Sequence, residues 1–321
     1  MSAGWSGQHV RDVRITPHRQ RLKQSYSAVF RVSAAGLACW FASSLCFASM
    51  AVTRTPGKSQ LARQISFEDA WKPSGHSRFC CLIYATQNGW KLPILFEELQ
   101  FPYDWCLVDF AKNEQKSSEF LKINPNGRIP ALIDRERNVA VAESGAILEY
   151  ICETLNSNLL PTKETNLEKH LQCKQWLYWQ VSALGPMMGQ SMYFNRIAAT
   201  KGEVDSFSIA RFGKEAERCL QMLDDQLCDS KGPFLLGEEV SAVDVACFAY
   251  AASAYWACVD ISHMKKLQAW LQHLHERPSF KTGLTIPFAR PAFFGPPWAT
   301  EADIEAEIGA NAAQFTIPEK K

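Results

Sequence analysis

"NPNGRIPALID", residues 124–134, followed a few residues later by "AESGAI", residues 142–147, decides how the first half of this chain folds. Asn-Pro-Asn-Gly is turn chemistry, because proline and glycine fix or free the backbone where a chain reverses. "IPALID" then reads as a strand whose first position is Pro130, where a missing N–H does least harm. "VAVA" reads as a second strand, and "SGAILEYICETL" as a helix with Ile147, Ile151 and Leu155 four residues apart. Working backward, "CCLIYA" is a short buried strand and "GWKLPILFEEL" a helix that tolerates Pro93 in its first turn. "YDWCLVDF" is another strand and "SSEFLKI" a short helix. The order βαβα followed by ββα predicts a mixed α/β domain over 79–156.

After Pro161 the pattern changes to long helical segments at 164–194, 205–229, 241–258 and 264–276. An all-α domain over 163–290 follows, with Trp176, Trp179, Phe212, Leu220, Leu223 and the 242–256 segment as its expected core. "SAVD", 241–244, has the form of a capping box, in which Asp244 reaches back to the amide of Ser241. Residues 291–321 are Pro-rich and then Ala/Glu-rich, and are expected to wrap the surface as a tail.

The net charge of +1 gives no reason to expect nucleic acid as a partner. It conceals an asymmetry. Residues 1–67 carry nine Lys/Arg and a single acid, Asp12, leaving 25 basic against 32 acidic residues in 68–321. An Arg- and Ser-rich, acid-poor segment has the composition of an organelle transit peptide, and "ASMA", 48–51, resembles a signal cleavage site. The uncharged run 34–52 is rich in Ala and Ser, too weakly apolar to be read as a membrane span. Residues 1–67 are therefore expected to be a targeting or disordered extension directing the protein to a plastid or mitochondrion. An unprocessed extension on a cytoplasmic protein is the alternative. The eleven cysteines include no C-x-x-C pair, which argues against structural zinc, and most lie among apolar neighbours as small hydrophobes. No metal site is expected.

Three stretches carry the chemistry. "YATQNGWK", 84–91, is a strand-to-helix turn containing neither Cys nor Ser, with Thr86 as its hydroxyl and Asn88 as its amide. At Ile129–Pro130 a cis bond, a few-per-cent event by default, would turn the Ile129 amide and carbonyl outward to pair with a peptide-like ligand. At the start of the next helix Ser144 is placed to cap, favouring a carboxylate, while Glu143 can hold an ammonium group. Each stretch has a plain alternative: a simple turn, a trans proline, a cap and nothing more. Together they describe a site for a zwitterionic amino-acid end plus a short peptide backbone.

"NPNGRIPALID" followed by "ESGAILEYI" resembles the thioredoxin-like domain of glutathione transferases. "TQNGWK" and "WLYWQVSALGPMMGQSMYF", 176–194, resemble the nu-class bacterial enzymes and the related fungal nitrogen regulators, and "FLLGEEVSAVDVACF", 234–248, resembles the family's helical-domain signature. The likeness covers 79–290. It implies an α/β thioredoxin-like domain followed by an all-α domain, and a homodimer. It also implies glutathione as the bound thiol substrate, held by Ile129 and cis-Pro130 at its cysteinyl backbone and by Glu143 and Ser144 at its γ-glutamyl end. Gln115 matches a further ligand contact, and Thr86 and Asn88 match the residues facing the sulfur. Two departures stand out: Gln87 where the family often has Pro, and Ser191 where relatives often carry Asn.

The nucleophile then need not belong to the protein. A free thiol has a pKa of about 8.5, and donors aimed at sulfur favour its ionised form. Asn88, Thr86 and amides at the helix start supply such donors, with Tyr84 as the rival hydroxyl. The expected activity is glutathione-dependent disulfide reduction, conjugation of an electrophile, or both. Met187, Ser191, Tyr193 and Arg211 form the candidate acceptor pocket, with core packing as the alternative for the apolar ones. A regulatory or assembly protein on the same fold is the contrasting class.

Overall fold

The computed structural model describes residues 59–297 and 299–314. A five-stranded sheet has the order β1-β3-β2-β4-β5. Its strands are β1 (Ala62–Gln64), β2 (Phe79–Ile83), β3 (Tyr103–Leu107), β4 (Ala131–Asp134) and β5 (Val139–Ala142). β2 is central and buried throughout, which explains why its sequence, "FCCLI", is continuously apolar rather than alternating. It pairs in parallel with β3 and antiparallel with β4, and β4 pairs antiparallel with β5. The parallel pair requires a crossover, supplied by α1 (Lys91–Glu98), which buries all but its last residue. Two further helices complete this domain, α2 (Ser118–Ile123) and α3 (Ser144–Thr154).

β1 corrects the boundary expected from sequence. Residues 62–67 are not part of a loose extension: Ala62, Arg63 and Gln64 pair in parallel with Tyr103, Asp104 and Trp105 at the sheet edge. Three residues are too few to show a strand period, so the signal lies in tertiary chemistry. Arg63 donates through Nε to the buried Asp104 carboxylate at 2.9 Å, and Arg135 donates to the same group at 2.8 Å. Burial alone would raise the pKa of Asp104, but these two guanidinium groups hold it below its ordinary value. Residues 1–58, with the cleavage-like "ASMA", lie outside the described residues.

The second domain consists of α4 (Leu167–Trp179), α5 (Gly185–Met192), α6 (Ser206–Asp229), α7 (Ala242–Ala252), α8 (Lys265–Glu276) and α9 (Pro278–Gly283). α7 is buried at every residue and forms the axis of this domain. Leu220 and Leu223 are fully buried, as expected, whereas Trp176 and Trp179 are only partly buried against the core. The expected single helix over 164–194 is broken into four parts. π-helical turns at Gln180–Leu184 and Tyr193–Ile197 flank α5. Such turns insert a residue and re-aim the side chains around them. The capping box holds, with Asp244 accepting from the Ser241 amide at 2.8 Å and its hydroxyl at 2.7 Å. The tail is more than a wrap: Glu301–Gln314 forms a helix, α10.

Among the described residues the cysteines are unpaired, and Cys80, Cys81, Cys106, Cys152, Cys173, Cys219 and Cys247 are buried. No described helix is long and apolar enough to cross a membrane.

Candidate active site

The turn after β2 is built by two local contacts of Thr86. The Thr86 carbonyl accepts from the Trp90 amide at 3.0 Å, and the Thr86 hydroxyl accepts from the Gly89 amide at 3.2 Å. These bonds wind the chain into α1. Residue 89 must be glycine, because a Cβ there would lie 1.9 Å from the Tyr84 carbonyl oxygen. Gln87 occupies the position where the family pattern favours proline. Its Nε2 donates to the Ser253 hydroxyl at 3.1 Å, tying the turn to the C-terminal end of α7. A hydrogen bond between domains therefore restrains this turn, where proline would restrain it through φ.

Thr86, Gln87 and Asn88 border a cavity of about 620 Å³ between the two domains. Ile129, Pro130, Glu143 and Ser144 line the same cavity, and the Ile129–Pro130 bond is cis. Glu143 has φ 69° and ψ 116°, a conformation that non-glycine residues rarely adopt. Strain of roughly 1–3 kcal/mol at such a position is typical of ligand-holding sites. The helical domain contributes Gln180, Tyr193 and Tyr250, and the segment after α9 contributes Arg290 and Phe293.

Polar contacts join these groups. Asn88 donates through Nδ2 to the Tyr250 hydroxyl at 3.0 Å. Ser144 donates through Oγ to Asn88 Oδ1 at 3.5 Å. Ser144 in turn accepts at 3.0 Å from Lys91 Nζ, which also donates at 2.6 Å to Gln180 Oε1. Lys91 is completely buried, and burial lowers its pKa to about 7. Burial pushes the Tyr250 hydroxyl up to about 12, so it remains a neutral donor and acceptor at physiological pH.

The cavity brings together Thr86, Asn88, Ile129, Pro130, Glu143, Ser144 and Tyr193, all anticipated from sequence. Ser144 differs in role. Its hydroxyl makes no capping bond to α3 and is held by Lys91 instead. Four other candidates lie elsewhere. Gln115 faces Asn113, to which its Nε2 donates at 2.9 Å, and is absent from the cavity lining. Ser191 is fully buried and donates to the Ala257 carbonyl at 2.8 Å. Met187 packs against the core and Arg211 is exposed on α6; neither lines the cavity. For Met187 and Ser191 the π-helical turn at Gln180–Leu184 is the physical reason, since it shifts the face of α5 that follows it relative to a continuous helix; Gln180, Pro186 and Tyr193 line the cavity. Tyr84 is fully buried, stacked on Phe110 at 4.4 Å and edge-on to Phe288 at 5.4 Å, outside the cavity lining.

Lys91, Gln180, Tyr250 and Arg290 were not anticipated. A lysine inside an otherwise apolar helix start was the available signal for the first. Arg290 donates to the Ala85 carbonyl at 2.9 Å and pairs with Glu307 of α10, a contact that no local pattern announces. None of the residues lining the cavity is a cysteine.

Two family models match the chain, "Glutathione S-transferase, N-terminal domain" over residues 83–153 and "Glutathione S-transferase, C-terminal domain" over 195–282. The disulfide-bond oxidoreductase YfcG of Escherichia coli is 33% identical over 199 residues, 60% of this chain and 88% of that protein. A glutathione transferase from Pseudomonas putida, solved with one glutathione disulfide per subunit, matches with a TM-score of 0.61 and 30% identity, covering 68% of this chain and 95% of that one. A glutathione transferase from Burkholderia graminis, solved with two glutathione molecules per subunit, matches with a TM-score of 0.61 and 29% identity, covering 68% and 91%.

Proposed function

This chain belongs to the glutathione S-transferase family, and from that premise we propose that its interdomain cavity binds glutathione and holds the thiol as a thiolate. The carrying observation is that Asn88 and Thr86 border the same cavity as Glu143, Ser144 and cis-Pro130. The γ-glutamyl end then lies against Glu143 and Ser144, and the cysteinyl backbone against Ile129 and Pro130. The sulfur faces the turn. There the Asn88 amide and the Thr86 hydroxyl stabilise negative charge without accepting a proton.

Because no cysteine lines the cavity, the attacking sulfur comes from the ligand. In disulfide reduction the bound thiolate attacks one sulfur of the acceptor disulfide. A mixed disulfide with glutathione forms, and the other acceptor sulfur leaves as a thiolate that takes up a proton. A second glutathione thiolate then releases the remaining half as a thiol and yields glutathione disulfide. The same stabilised thiolate serves conjugation to an electrophile. Tyr193, Arg290 and Phe293 border the acceptor side.

The test is retention on immobilised glutathione, followed by turnover with a model disulfide and a model electrophile. Retention with neither turnover would replace catalysis by a regulatory role.

A homodimer is part of the same proposal. Leu167, Leu171 and Tyr178 are 50–59% exposed on α4, an apolar face that a second copy would cover. Light scattering of Leu171→Glu against the parent tests it, with loss of the dimer expected. The basic segment preceding the fold is proposed to act as an organelle address, which a reporter fused after residue 58 tests by its compartment.

A further inference from the structure

Lys91 is the one lysine among the buried polar and charged residues of the described chain, and no carboxylate pairs with it. Taking an ammonium group out of water without a counter-ion is costly, and folds retain such groups mainly where they act. The two hydrogen bonds of Lys91 go to neutral oxygens, Ser144 Oγ and Gln180 Oε1. Its third direction faces the ring of Tyr250, whose centroid is 5.7 Å away. The charges around it are few. Glu143 precedes Ser144 on the exposed side, and Cys247 and Tyr250 face it from α7.

The consequence runs through hydrogen-bond polarity. Below its pKa of about 7 Lys91 is an ammonium group that only donates, so Ser144 then presents a lone pair to it. That fixes the hydroxyl rotor and leaves its proton for Asn88 Oδ1. Asn88 Oδ1 is then held toward Ser144, and its NH2 is turned toward Tyr250 and the cavity. Gln180 is fixed the same way. Its Oε1 faces the ammonium, and its buried Nε2 has no partner among the described residues. The opposite amide orientation would set two donors against each other.

We infer that Lys91 is a positioning residue: acting through Ser144, it locks the Asn88 amide with its NH2 presented to the glutathione sulfur. This rests on the glutathione reading of the cavity. Without the lock, the Asn88 amide can turn over and present Oδ1, an acceptor that repels a thiolate.

The test is Lys91→Met, which preserves length and removes the charge. Measured are thermal stability, glutathione affinity, the pH profile of the bound thiol followed by thiolate absorbance, and kcat with a model disulfide. The expected result is unchanged or increased stability together with a rise of about one unit in the apparent thiol pKa. A roughly tenfold loss of kcat near neutrality and glutathione KM within about threefold are also expected. A merely structural lysine would give the reverse, lower stability with an unmoved pH profile, and that result overturns the inference. Lys91→Gln, which retains a donor, serves if the Met variant does not fold; partial retention of the parental profile supports the lock and none overturns it. Combining Lys91→Met with Ser144→Ala completes a cycle. Losses no larger than the worse single variant support action through Ser144, and additive losses overturn it. Failure of the parent itself to bind glutathione is a separate result, which removes the cavity reading and not the polarity of this chain of contacts.

Discussion

Asn88, on the turn of the thioredoxin-like domain, is held by Tyr250 of α7 through a 3.0 Å hydrogen bond from its Nδ2. The residue proposed to face the thiol is thus oriented by the opposite domain. The second Nδ2 hydrogen remains for the ligand. Catalysis should therefore respond to substitutions on both sides of the interface.

Asn88→Ala is expected to lower kcat/KM for disulfide reduction by about tenfold to a hundredfold, in the range for loss of a donor to a developing anion. Tyr250→Phe removes only the hydroxyl and should cost about threefold to tenfold, the equivalent of one ordinary hydrogen bond. Steady-state kinetics on both variants, with glutathione saturating, checks the order of the two effects.

Tyr84→Phe should leave kcat/KM within about twofold of the parent, since the ring packs between Phe110 and Phe288 and does not border the cavity. A large loss with an intact fold would transfer the thiol-facing role to this tyrosine.

Lys91 gives stability a predictable pH dependence. Its folded pKa of about 7 lies below the unfolded value of 10.5, so between the two the unfolded chain binds more protons. Stability from this group rises with pH, starting near 7, by at most about 1.4 kcal/mol per unit. Above about 9 the buried cysteines oppose it. Burial raises the Cys81 and Cys247 thiols well above their ordinary value, so the folded chain retains protons that the unfolded chain loses. Denaturant titrations should therefore show a gain between pH 7 and 9 that Lys91→Met abolishes.

Asp244→Ala should be among the most destabilising single changes, costing about 3–5 kcal/mol, because it strands several buried donors. Asp244 accepts from the Leu235 amide at 3.0 Å and from Trp270 Nε1 at 2.9 Å, besides the two bonds from Ser241. Equilibrium unfolding measures the loss directly.

The elements that position the site were legible because their signals are local. A continuous apolar run marks β2, a proline opens the segment before β4, and four-residue spacing marks α3. The residues that border the cavity from the turn, the cis-proline and the Glu-Ser pair were legible for the same reason. Met187 and Ser191, two of the four candidates that lie elsewhere, are on α5. Helical periodicity through 176–194 assumes 3.6 residues per turn, and the π-helical turn at Gln180–Leu184 shifts the face that follows it, on which Ser191 is buried in the core. Lys91 and Tyr250 were hidden differently, since each makes its important contact with a residue more than fifty positions away in the chain.

The short strand at Ala62–Gln64 limits how far the N-terminus can be trimmed. A cut after "ASMA", 48–51, leaves that strand and the Arg63–Asp104 pair whole. A cut a dozen or so residues further on would bare the Tyr103–Leu107 edge to pairing with other chains and remove one cation from a buried carboxylate. Trimming that spares Ala62–Gln64 keeps the β3 edge covered, and trimming through it leaves that edge open to pairing.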